Sequence, residues 1–89
     1  MLDTGIYRQC LQDIVQEAID HSDGSSHQIS EYLGSMKIGG WSTRHKFEKQ
    51  KALDEARTAF DTHRHWPLEI VISHLGLEPK SMRLPQRPQ

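Results

Sequence analysis

Ser42, Thr43, Arg44, Lys46 and Lys49 stand together in the stretch "GGWSTRHKFEKQK". Their side chains suit contact with a DNA duplex. The arginine fork can make a bidentate contact to guanine, and Ser and Thr hydroxyls reach base edges or phosphate oxygens. Lysine places a point charge against phosphate. A helix starting near Ser42 would add the anion-favouring N–H groups of its first turn. Arg64, Lys80 and Arg83 are further candidates for backbone phosphates, and Arg64 joins the five above as a candidate DNA-binding residue.

Other chemistries find less support. There is no glycine-rich phosphate loop, no Cys or Ser beside an evident base, and no paired carboxylates, so a non-enzymatic protein is expected. His63 and His65 in "HRH", with His74 one element later, are the residues to check for a metal. No cysteine pair or His-x-x-x-His spacing accompanies them, so neither metal nor cofactor is expected. They read as surface histidines that gain charge below about pH 6.5.

Composition bounds the protein further. An 89-residue chain is one domain with a small core. The net charge of -1 and pI near 6.6 hide a polarity. Residues 1–34 carry six carboxylates against Arg8 alone, whereas the remainder carries ten Lys/Arg against six Asp/Glu. The basic half could meet phosphates or an acidic protein. The single cysteine, Cys10, excludes an internal disulfide and suits a reducing compartment. No apolar run approaches the ~20 residues that span a bilayer, and the N-terminus lacks signal-peptide character. The expected location is the cytoplasm, with no membrane contact.

Four helices must position these residues. In "DTGIYRQCLQDIVQEAIDHSDG" the apolar residues Ile6, Cys10, Leu11, Ile14, Val15, Ala18 and Ile19 recur at helical spacing. Asp3 or Thr4 can cap the start, and Gly24 can end it. Cys10 lies on this stripe and reads as a core residue. A short second helix, "SSHQISEYLG", has Ser25 or Ser26 as cap, Ile29, Tyr32 and Leu33 on one face, and Gly34 as its end. After the "SMKIGGW" loop, a third helix is expected from near Ser42 to about Thr62, with Ala52, Leu53, Ala56, Ala59 and Phe60 inward. Phe47 falls about half a turn off that stripe, which implies a bend near 49–51 or a different packing neighbour. Residues 67–73 fit a helix opened by Pro67 and closed by Gly76, although the β-branched run Ile70-Val71-Ile72 keeps a strand in contention. The division is a helical domain over 1–78 and a flexible Pro/Arg-containing tail over 79–89.

Two stretches resemble a known family. "LQDIVQEAIDHSDGSSHQISEYLG" looks like the first two helices of a helix-turn-helix domain, with Ile29, Tyr32 and Leu33 as packing residues and Gly34 at the turn. "HWPLEIVISHLGLEPKSMRLPQR" is similar to the final segment of small phage regulators of the Ner type, in the lambda-repressor-like class. The matching positions are Trp66-Pro67, Leu75-Gly76, Pro79, Pro85 and Arg87. The two stretches cover 47 of the 89 residues, about half of the chain. Here "SMKIGG" delays the third helix, which is also long for that family.

The resemblance implies an all-α, helix-turn-helix-like domain that binds double-stranded DNA as a small transcriptional regulator of phage or plasmid type. Apart from the resemblance, a homodimer would focus the charge of a chain that is not basic overall. The alternative is a protein-binding inhibitor or adaptor acting through charged helical faces. Trp41, Trp66, Arg64 and Met82 are residue types that anchor protein interfaces.

Overall fold

The computed structural model describes residues 2–37 and 44–85. The fold is all-α: α1 (Thr4–Asp20), α2 (Ser26–Ser35), α3 (Lys46–Thr62) and α4 (Leu68–His74), followed by a 3-10 turn at Pro79–Ser81.

Helix α1 forms as its pattern dictates. Asp3 is the N-cap and its carboxylate accepts the Ile6 N–H at 3.1 Å. The stripe Leu11, Ile14, Val15, Ala18 and Ile19 is buried, and Cys10 packs on the edge of the core. The helix ends at Asp20 with His21 as cap, not at Gly24. Gly24 has φ +86 and serves another need: a Cβ there would lie 2.2 Å from Pro85 Cγ.

Helix α2 is capped by Ser25, which accepts the Gln28 N–H at 3.2 Å. Ser26 is instead buried and donates to the Trp66 carbonyl at 2.7 Å, tying α2 to the α3–α4 turn. Gly34 does not end α2, which runs on to Ser35. The last turn is closed by Arg57 of α3, which donates to the carbonyls of Leu33 (2.8 Å) and Met36. The Leu33 carbonyl also accepts the Met36 N–H at 3.2 Å, and the guanidinium adds a charged donor to both carbonyls.

Helix α3 lies at the centre and packs on both α1 and α2. Ala52, Leu53, Ala56, Ala59 and Phe60 are buried, with alanines allowing close approach of the neighbouring helices. The strand alternative for this segment falls away: Leu68–His74 is helix with Pro67 as its N-cap, Leu68, Val71 and Ile72 are buried, and Gly76 takes φ +80 beyond the end. Core packing of the 3.6-residue face outweighs the β-branched propensity.

The loose tail expected from residue 79 is corrected over 79–85. Met82 is buried and Leu84 packs against the core. The Arg83 backbone exchanges hydrogen bonds with the Gln16 side chain at 2.9 and 3.0 Å. Prolines made this segment look unstructured, but two apolar side chains between them reach the core. Residues 86–89 lie outside the described residues.

Candidate functional site

The start of α3 differs from the expected one. His45 precedes the helix in the left-handed conformation, at φ 59 and ψ 30, and makes no side-chain cap bond. A backbone turn there breaks the helix, so its first residue is Lys46 rather than Ser42. Arg44 sits in the turn before the helix, while Ser42 and Thr43 lie outside the described residues. The basic residues therefore do not all share one helix N-terminus.

Glu48, three residues after the cap, anchors this end. Its carboxylate accepts the Asp3 N–H at 3.0 Å, fastening the start of α1 to the start of α3. That backbone donor, followed by the N–H of Glu48 itself, holds its pKa below the usual carboxylate value.

Lys49 and Lys46 point to different surroundings. Lys49 is half-buried and lines a groove of about 200 Å³ with Cys10, Asp13, Ile14 and Glu17 of α1. Acidic α1 thus faces this lysine. Burial pushes the Cys10 thiol up, which leaves it a poor nucleophile at neutral pH. Lys46 is exposed.

Phe47 neither bends the helix nor finds a packing neighbour in the core. It is 69% exposed and stands at the end of an open groove of about 560 Å³ formed with Gln50, Lys51, Asp54, Glu55 and Thr58. Along this face Gln50 donates to Asp54 at 2.9 Å, and Lys51 pairs with Glu55 at 3.3 Å. Lys51 stands toward the start of this face, and Asp54 and Glu55 lie beyond it.

Arg64 is brought to carboxylates rather than to the other candidate cations. Its Nε and Nη2 both donate to Asp61 Oδ1, at 3.1 and 2.9 Å, and Nη1 donates to Glu31 Oε1 at 3.2 Å. The bond to Asp61, then the one to Glu31, raises the guanidinium pKa. Arg83 likewise pairs with Asp20 at 3.1 Å. Neither pairing was visible in the sequence, because Glu31 and Asp20 lie 33 and 63 positions from their partners.

A second exposed patch surrounds α4. Trp66 is 40% and Ile70 52% exposed. The Trp66 indole stacks on the His63 imidazole at 3.5 Å, and His74 meets both rings edge-on, at 4.9 Å from His63 and 5.7 Å from Trp66. Among the described residues no group of three or more His, Cys, Asp or Glu side chains is arranged to hold a metal ion. Among them, too, no helix is long and apolar enough to cross a membrane.

Comparison of the chain with protein-family models, curated proteins and solved structures returns no match.

The residues that sequence reading missed are Arg57 and Glu48. One signal pointed to Arg57: it adjoins the stripe Leu53-Ala56-Phe60, where a charge must find an internal partner. Glu48 carried no signal beyond being an acid near a helix start.

Proposed function

We propose that the protein is a non-catalytic protein-binding module, an inhibitor or adaptor, that engages its partner through the Phe47 face of α3. One observation carries this: the large aromatic side chain on that face is exposed beside Lys46 and Lys51, while Arg64 and Arg83 are held by the protein's own carboxylates. Phosphate binding requires cations that can replace DNA counterions. A cation already matched by two carboxylates contributes little to that exchange. An aromatic ring flanked by amphipathic lysine stems has the composition of an interface anchor. Full burial of such a ring is worth ~1.5–3 kcal/mol. The lone cysteine, free and partly buried, fits action in a reducing cell interior.

A second reading is DNA binding as a small regulator of the Ner type, and one observation favours it. Lys46, Gln50 and Lys51 share the exposed side of α3, and glutamine can pair with adenine in a major groove. Asp54 and Glu55 on the same face oppose phosphate. The connection over residues 36–45 is also longer than the 3–4-residue turn of a helix-turn-helix.

The test is paired capture with the wild-type chain and Phe47→Ser, from lysate of the source cells with and without nuclease treatment. A partner retained by wild type and lost by the variant, with both melting alike, supports the module. Equal capture by both proteins, or capture that nuclease abolishes, contradicts it.

A further inference from the structure

We propose that Gln16, Asp20 and Gly24 form a docking groove for an extended peptide in which arginine stands between two apolar residues and proline follows. The chain's own Met82-Arg83-Leu84-Pro85 occupies this groove as an internal ligand, and a free peptide of the same pattern displaces it. The groove shares no residue with the Phe47 face.

The seated segment shows what the groove reads. Gln16 and Asp20 stand one turn apart on α1 and together grip a single residue. The Arg83 N–H donates to Gln16 Oε1 at 2.9 Å, and Gln16 Nε2 donates to the Arg83 carbonyl at 3.0 Å. Gln16 Nε2 also donates to Asp20 Oδ1 at 3.0 Å, and Arg83 Nη2 donates to Asp20 Oδ2 at 3.1 Å. The four bonds close a ring through the main chain and side chain of one arginine. Main-chain bonds of this kind hold an extended peptide of any sequence, and the side-chain contacts add selectivity.

The flanking residues define the rest of the pattern. Met82 is buried with extended backbone, at φ -116 and ψ 152. Leu84 packs against the core, and the proline after it confines it to extended backbone. Pro85 lies so close to Gly24 that any Cβ at that position would meet its ring. Gly24 thereby makes the space that the proline fills.

The segment is attached in a way that permits exchange. It leaves the fold through exposed Glu78 and belongs to none of the four helices. Its backbone bonds run from the Ser81 N–H to the Glu78 carbonyl and from the Met82 N–H to the Pro79 carbonyl, so its release breaks no helix. The Arg83 side chain is 78% exposed, and an ion pair in such a place holds weakly. An internal ligand lowers the apparent affinity for a free peptide by the fraction of time that the groove stands empty.

The probe is a fluorescent, end-blocked peptide copying residues 79–85, titrated by anisotropy into the full chain. Met82→Ser/Leu84→Ser undocks the internal segment and leaves Gln16, Asp20 and Gly24 in place. This chain is expected to bind one peptide, more than ~10-fold tighter than wild type does. The same peptide carrying Arg83→Glu does not bind. Gln16→Leu, added to the undocked chain, removes binding, and 1H–15N spectra of the undocked chain show peptide-induced changes at the Gln16 side-chain amide. Lys37→Gln, beyond the far end of α2, changes nothing. A second variant serves where the double substitution prevents folding: Arg83→Glu in the full chain keeps both apolar anchors, loses the pairing with Asp20, and binds the unsubstituted peptide tighter than wild type does. Three results overturn the groove: no peptide binding by the folded undocked chain or by Arg83→Glu, equal binding of the arginine and glutamate peptides, or binding that survives Gln16→Leu.

Discussion

Glu48 and Arg57 show how single charged side chains hold this small protein together. Glu48 joins two helix starts through one charge-assisted bond to the Asp3 N–H. Its folded pKa lies below the unfolded value. Its contribution is therefore fully present above the unfolded carboxylate pKa, about 4.3, and fades as pH falls through the lower folded value. Glu48→Gln should lower Tm at pH 7, and the gap from wild type should narrow steadily as a melting series descends below about pH 4. A gap that stays constant with pH would show that the carboxylate is not what holds the contact. Arg57 is half-buried and supplies two carbonyls at the end of α2. Arg57→Ala should cost ~1–3 kcal/mol in urea unfolding, because it removes a charged donor from both acceptors and leaves the Leu33 carbonyl with the Met36 N–H alone. Arg57→Lys should recover only part of this, since an ammonium lacks the planar fork.

At the scale of elements, the glycines and the apolar stripes make separate claims. Ile14→Ala empties a buried position in the middle of α1 and should cost roughly 2–5 kcal/mol. Gly34 lies within α2 with open space where a Cβ would go. Gly34→Ala should raise stability by ~0.5–1 kcal/mol, through helix propensity alone. Gly24→Ala should do the opposite, because φ +86 disfavours any side chain and Pro85 fills the space. Matching melting shifts for the two glycine variants would contradict the assignment of their roles. The elements were legible where periodicity ran long: Leu11 to Ile19 in α1, Ala52 to Phe60 in α3, and Leu68 to Ile72 in α4. Boundaries were less so. Ser42 has the chemistry of a cap, yet the chain breaks at His45 by a left-handed turn that no residue type announces. Gly34 looked like a stop, and the helix runs one residue past it. The packing of Met82 and Leu84 was hidden by the prolines beside them, since proline reports a missing N–H and says nothing about neighbouring side chains.

Over the whole molecule, the sequence displays its charge asymmetry but not its pairing. The acidic first third and the basic remainder meet across the fold: Glu31 with Arg64, Asp20 with Arg83, and acidic α1 with Lys49. Of the candidate DNA-binding residues, Arg64 and Lys49 face the protein's own carboxylates, Arg44 and Lys46 are exposed, and Ser42 and Thr43 lie outside the described residues. The proposed function rests on this matching: it assigns recognition to the aromatic face of α3 rather than to a phosphate-gripping surface. The most direct test is titration of a labelled mixed-sequence DNA duplex with the full chain at about 50 and 200 mM salt, conditions across which phosphate-based affinity changes steeply. The account predicts no saturable binding at either salt concentration, for wild type and Phe47→Ser alike. Saturable binding that falls steeply with salt and is lost in Lys46→Ala would contradict it, and would make the start of α3 a DNA-reading surface.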